Sequence, residues 1–255
     1  MTSPSVTAIH SRDNAFVKDL RRLAQDSTQY RKQGRVWIEG DHLCRAALAR
    51  GQSVSIAVFS ESFWPLASVE WSQAASKKIV LSDALFADIS GLESPARMGF
   101  VIELPAVTAL QPDAATVVLD RVQDAGNVGS ILRSASAFGF QQVVALKGSA
   151  ALWSPKVLRA GMGAHFALDL IEAASLEDLQ PLRVPMLVTH VHEGDFLHRA
   201  ELPWPCAWVL GHEGQGVCAV LMARASHFAR IGQPGGEESL NVAAIKFEWD
   251  QSGNL

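Results

Sequence analysis

Two polar residues six positions apart, Asn127 and Arg133, flank a glycine-rich turn in LDRVQDAGNVGSILRSASAFGF, Leu119 to Phe140. The turn joins an apolar run, TVVLD at Thr116 to Asp120, to a segment where Ile131, Leu132, Ala135 and Phe138 recur at helical spacing. In such a strand-turn-helix unit the turn lies at the carboxyl end of the strand, where open α/β sheets place their ligands. Gly126 and Gly129 let the backbone come close to whatever binds there. Two later segments repeat the pattern. In VLGHEGQGV, Val209 to Val217, an apolar strand runs into Gly211, Gly214 and Gly216 around Glu213. In IGQPGGEESLNVA, Ile231 to Ala243, a Gly/Pro loop leads into a helix that Ser239 is placed to cap. Taken singly, Asn127 reads equally well as a turn former, Arg133 as a helix-surface cation, Glu213 as a loop carboxylate and Ser239 as a simple cap.

The elements that must position these residues follow from periodicity. TVVLD is short, β-branched and nearly all apolar, as a strand buried on both faces is, and Gly139 stops the helix after it. Strands are predicted at Thr116 to Asp120, Gln142 to Leu146, Ala167 to Ile171, Pro185 to His190 and Ala207 to Leu210, and this β-then-α order predicts a mainly parallel sheet. Upstream, Asn14 to Ala24 places Phe16, Val17, Leu20, Leu23 and Ala24 on one helical face. A strand at Val36 to Gly40, a helix at Asp41 to Arg50 and strands at Val54 to Phe59 and Lys78 to Leu81 complete a smaller α/β unit over residues 1–103. Residues 104–115, LPAVTALQPDAA, are short of charge, contain two prolines and read as a linker, so the second domain spans 116–255.

With 48% hydrophobic residues the chain can bury real cores. Three cysteines, Cys44, Cys206 and Cys218, make an odd number without a CxxC pair, which argues against a disulfide framework or zinc knuckle and for a reducing compartment. The start is polar and mixed and no apolar run reaches spanning length, so a cytoplasmic, non-membrane protein is expected. The net charge of −4 conceals an asymmetry: residues 1–50 carry nine Lys/Arg against five Asp/Glu, and the rest of the chain is acidic. Positive charge gathered at one end of an acidic protein is the footprint of contact with a polyanion, although a solvated helix face would read the same way.

Taken together, AGNVGSILRSASAFG, LGHEGQGV and SLNV, in this order, closely resemble the SpoU (TrmH) family of RNA ribose 2′-O-methyltransferases within the SPOUT superfamily. The resemblance extends to SRDNAFVKDLRRL and RVWIEGDHLCRAAL, which are similar to that family's N-terminal substrate-binding domain. It implies a C-terminal SPOUT-type α/β domain with a mainly parallel sheet and a deep trefoil knot, plus a smaller N-terminal ribosomal-protein-like α/β domain. It also implies bound S-adenosyl-L-methionine, a homodimer with sites at the subunit interface, and an RNA substrate, ribosomal RNA ahead of transfer RNA. Carried over by position, the cofactor contacts fall on Gly211, Ile231 and Leu240, with Gly214 and Gly216 shaping the same pocket. The catalytic set falls on Asn127, Arg133, Glu213, Ser239 and Asn241, and RNA contacts are expected from Arg12, Lys18, Arg21, Arg22, Arg31, Lys32 and Arg35. Two departures are visible: Gly232-Gln233 follows Ile231 where Pro-Met is usual, and Gly161 stands where Ser is expected.

Methyl transfer from a sulfonium to a ribose hydroxyl is an in-line displacement that needs no metal. Aligning the reacting atoms supplies on the order of 7–11 kcal/mol. The family resemblance assigns Arg133 to activating the hydroxyl, but a guanidinium is a poor base at neutral pH, so Arg133 is expected to hold the ribose or its phosphate and stabilise developing alkoxide, with proton abstraction by Arg133 as the alternative. The rival reading is a non-catalytic RNA-binding or ribosome-assembly factor that retains the fold. A nucleotide-dependent oxidoreductase would need GxGxxG and an acidic residue ending the next strand, where the turn reads AGNVGS and that strand ends Ala145-Leu146-Lys147. His190, His192, Glu193, Asp195 and His198 fit no standard metal spacing, and the seven tryptophans are expected to be mostly core.

Overall fold

The computed structural model describes residues 5–92, 94–190, 193–197 and 199–230. Ile231, Ser239, Leu240 and Asn241 therefore lie outside the described residues, as do His192, His198 and Trp249. The chain forms two units. Residues up to Ala106 group with Trp153–Phe166, and Val107–Leu152 groups with the chain from Ala167 onward.

The first unit is built on strands β1 (Ser5–Ile9), β2 (Arg35–Glu39), β3 (Val54–Ser60), β4 (Lys77–Leu81) and β5 (Met98–Glu103), ordered β1-β4-β3-β5-β2. Here β1, β4 and β3 run parallel while β5 is antiparallel to both β3 and β2, so this sheet is mixed. Helices α1 (Ala15–Gln25), α2 (Gln29–Gln33), α3 (Asp41–Ala49), α4 (Val69–Gln73) and α5 (Asp83–Ile89) alternate with the strands. The Asn14 side chain caps α1 by accepting from the Phe16 amide at 2.9 Å, and the predicted face is buried at Val17, Leu20, Leu23 and Ala24. Phe16 is half-buried instead. Strand β1 was not expected from the sequence. It is an edge strand whose Val6, Thr7 and Ala8 face solvent, so main-chain pairing to β4 holds it and hydropathy does not betray it.

The second unit carries β6 (Thr116–Asp120), α6 (Ala125–Ala137), β7 (Gln142–Leu146), α7 (Pro155–Gly161, in the segment that groups with the first unit), β8 (Asp169–Ala174), β9 (Met186–Thr189), β10 (Asp195–Phe196), β11 (Ala207–Gly211), α8 (Ala219–Arg224) and β12 (His227–Arg230). All pairings in its seven-stranded sheet are parallel, in the order β10-β12-β9-β11-β6-β7-β8. Strands β6 and β7 are buried along their whole length, as their unbroken apolar runs require. Strand β8 starts at Asp169, two residues later than predicted, because Ala164–Ala167 winds into a 3₁₀ turn first. The two-residue β10 and the four-residue HFAR of β12 are too short and too polar to show in a periodicity reading.

Residues 107–115 contain no helix or strand, yet they are fastened. The buried Gln142 side chain accepts from the Gln111 amide at 3.0 Å and donates to the Gln111 carbonyl at 2.8 Å and Thr116 Oγ1 at 2.7 Å. Arg183 grips Asp113 through its Nε at 2.8 Å. At the end of α7, Gly161 leaves room for the buried His165 ring; a Cβ there would lie 2.5 Å from its Cε1.

Candidate active site

The chain leaves β6 to build β7 and β8 on one side of it and later returns to build β9 and β11 on the other. The carboxyl ends of β6 and β11, paired in register with Asp120 opposite Gly211, therefore form the switch point of the sheet. Both glycine-rich turns emerge there side by side.

Glu213 ties the two turns together. Its carboxylate accepts from the Gln123 amide at 3.2 Å, the Asp124 amide at 3.0 Å and Asn127 Nδ2 at 3.2 Å. Burial by itself would raise the Glu213 pKa, but these amides and the Asn127 side chain outweigh it and hold the carboxyl below its ordinary range. Asp124 caps α6 by accepting from the Asn127 amide at 2.7 Å, which fixes Asn127 in the first turn of the helix. Asn127 and Glu213, 86 residues apart, are thus brought into contact.

Arg133 stands apart from that pair. Six residues along a helix amount to about 9 Å of rise and about 120° of rotation, so it points along a different face of α6 from Asn127. It is exposed and has no side-chain partner among the described residues.

The second turn explains its own glycines. The chain closes on itself through a pair of backbone bonds between His212 and Gly216, at 3.1 and 2.8 Å. A Cβ on Gly211 would sit 2.3 Å from the Gly216 carbonyl carbon, and Gly216 adopts φ +67°, so neither tolerates a side chain without strain. His212 Nδ1 accepts from the amides of Gly214 and Gln215 at 2.9 and 3.2 Å, which places the proton of the neutral ring on Nε2. Among the described residues nothing lies within 4 Å of a would-be Cβ on Gly216.

Two residues beneath these turns escaped the sequence reading. Asp120, at the buried end of β6, accepts from the Cys218 amide at 2.6 Å and from Arg121 Nε at 2.8 Å. Burial pushes this carboxyl up, but Arg121 and the Cys218 amide pull it further down and hold it below its ordinary range. Arg121 also donates through Nη1 to Gln215 Oε1 at 3.0 Å. The one signal in the sequence was a lone carboxylate ending an apolar strand; its partner amide lies 98 residues away.

The basic residues of the first unit are only partly free. Arg21 binds Asp88 of α5, Arg12 approaches the same carboxylate at 4.0 Å, Lys18 pairs with Asp13 at 2.9 Å and Arg22 with Asp19 at 3.4 Å. Arg31 stacks on Tyr30 with its guanidinium 5.3 Å from the ring centre, Arg35 donates to Gln33 at 3.0 Å, and Lys32 is exposed. Trp37, Trp71, Trp153 and Trp208 are core; Trp204 is 43% exposed and packs edge-on against Phe140. Cys44 and Cys206 are buried, and burial drives their thiols up, Cys206 to about 12. Among the described residues no group of three or more His, Cys, Asp or Glu is placed to hold a metal ion, and no helix is long and apolar enough to cross a membrane.

Comparison with known proteins matches residues 114–244 to the SpoU rRNA Methylase family and residues 14–98 to the MRM3-like substrate binding domain. The chain is 29% identical to the 23S rRNA (guanosine(2553)-2′-O)-methyltransferase RlmP of Bacillus subtilis, covering 92% of this chain and 94% of that protein. Among solved structures it resembles an AdoMet-bound rRNA methyltransferase from Sinorhizobium meliloti (TM-score 0.80, 26% identity, 93% of each chain covered). An RNA 2′-O ribose methyltransferase is similar at TM-score 0.76 and 29% identity, covering 93% of this chain and 94% of that one. With the switch-point site and more than half the chain matched, the protein belongs to the SpoU rRNA methylase family.

Proposed function

We propose that the protein transfers a methyl group from S-adenosyl-L-methionine to a ribose 2′-hydroxyl of ribosomal RNA. The observation that carries this reading is the Glu213 carboxylate, which joins the turn after β6 to the turn after β11 and seats Asn127 between them. Relatives similar over nearly the full chain are a 23S rRNA guanosine 2′-O-methyltransferase and an AdoMet-bound rRNA methyltransferase, which favours ribosomal over transfer RNA.

The residues present fit the cofactor: parallel strands deliver two turns to one edge, and no described residue lies within 4 Å of where a Gly216 side chain would begin, which suits a close backbone approach to a ligand. S-adenosyl-L-methionine supplies an electrophilic methyl group beside a positive sulfur. Gly211 and Gly216 let the loop take its tight path, and Ile231 and Leu240 are assigned to complete the cofactor pocket. Glu213 keeps the two turns in register. Asn127, held by Glu213, presents its amide at the mouth of the first turn. Arg133, without a protein partner among the described residues, is available to hold the ribose or its phosphate and to stabilise charge developing on the 2′-oxygen. Ser239 and Asn241 are assigned to the remaining polar wall. Substrate binding is assigned to residues 1–103, the connection to 104–115 and the chemistry to 116–255, with a trefoil knot, a homodimer and a cytoplasmic location as the family arrangement implies. Of the basic residues, Lys32 is exposed and the Arg12 and Arg22 side chains are 71% and 63% exposed, which offers accessible charge for RNA.

Mapping 2′-O-methyl nucleotides in ribosomal and transfer RNA from cells with and without the gene tests this reading. Loss of a 2′-O-methyl mark in large-subunit RNA is expected. An unchanged map in both RNA classes would favour the non-catalytic assembly factor.

A further inference from the structure

Arg121 is an arginine in a backbone conformation that side chains rarely adopt, with φ at +60°. Strain of this kind persists only where the surroundings impose it, and it concentrates at functional sites. Its surroundings are specific. The left-handed turn folds the guanidinium back so that Nε meets Asp120 Oδ1 at 2.8 Å and Nη2 meets Oδ2 at 3.3 Å, while Nη1 reaches Gln215 Oε1 at 3.0 Å. The stem lies along Gly148, where a Cβ would come within 3.2 Å of Arg121 Cγ. Asp120 also accepts from the Cys218 amide at 2.6 Å. One buried carboxylate and one guanidinium thus hold the 212–217 loop near its middle, at Gln215, and just past its end, at Cys218.

Glu213 and Arg121 fasten the same loop differently. Glu213 lies in the loop and reaches out to the first turn; Arg121 lies on the first turn and reaches into the loop. Two crossing ties fix both position and tilt, whereas either alone leaves a hinge. We propose that Arg121 is a positioning residue that latches the 212–217 loop in its cofactor-accepting shape through Gln215. The proposal rests on the methyltransferase reading for its consequence but not for its geometry.

Gln215→Ala removes the exposed acceptor and leaves Arg121 paired with Asp120, so a purely structural Arg121 would make this variant silent. The expected result is a KM for S-adenosyl-L-methionine raised about tenfold, the strength of one charge-assisted bond, with kcat at saturating cofactor within about twofold and an unchanged melting temperature. Hydrogen exchange at the Gly216–Cys218 amides is expected to quicken. Gln215→Glu, which keeps an acceptor for the guanidinium, is expected to restore both. Arg121→Gly is expected to raise KM at least as far, and adding Gln215→Ala to it should change nothing more. Unaltered KM and exchange in Gln215→Ala, or fully additive effects in the double variant, would overturn the latch. A wild-type protein that binds no cofactor would sink the methyltransferase reading instead, and the exchange comparison would still decide the latch.

Discussion

Glu213 is a carboxylate with three donors aimed at it, two of them backbone amides of the neighbouring turn. Its pKa lies below the ordinary range in the folded protein, as does that of Asp120. A carboxyl with a depressed folded pKa adds stability above its unfolded pKa and loses it as pH falls toward the folded value. Wild-type protein should therefore lose stability below about pH 4, and Glu213→Gln should show a flatter acid limb in melting temperatures recorded from pH 7 to 3. Arg133 should behave otherwise, because its side chain supports no neighbour among the described residues. Arg133→Ala is expected to keep cofactor affinity by calorimetry while its methylation rate falls about 10²–10³-fold, as on losing a donor to developing charge. A normal rate in that variant would remove Arg133 from the chemistry.

At the scale of elements, the site depends on how tightly the second turn packs on itself. Gly211→Ala would drive a Cβ to 2.3 Å from the Gly216 carbonyl carbon, a clash with backbone that no rotamer change relieves. Overpacking of this kind costs about 1–3 kcal/mol, and the denaturant midpoint should fall accordingly, with cofactor affinity falling alongside. This turn also marks where sequence reading stops. The strands TVVLD, QVVAL and AWVLG declare themselves because a strand buried on both faces is a continuous apolar run. The turns after β6 and β11 declare themselves by glycine. What joins them does not: the bonds from Glu213 to the Gln123 and Asp124 amides and from Asp120 to the Cys218 amide use backbone donors about 90 residues away, which leave no trace in composition. Edge strands such as β1 are hidden for a related reason, since hydrogen bonding rather than burial defines them.

At the scale of the whole molecule, the basic N-terminal segment is less open than its charge suggested. Arg21 is tied to Asp88 across α1 and α5, so replacing it would disturb packing as well as charge, and Lys32 and Arg22 report RNA affinity more cleanly. The motifs were legible as a set although each was ambiguous alone, because three glycine-rich segments of this kind in one chain are improbable without a ligand. Ribosomal RNA methylation at a ribose hydroxyl is the activity proposed for this chain. Its most direct test is to incubate the purified protein with isotopically labelled S-adenosyl-L-methionine and ribosomal RNA from cells lacking the gene, then digest the RNA to nucleosides and identify the labelled product. A single labelled 2′-O-methylnucleoside that disappears with Arg133→Ala is expected; label on a base, or no transfer from an intact protein that binds the cofactor, would overturn the proposed activity.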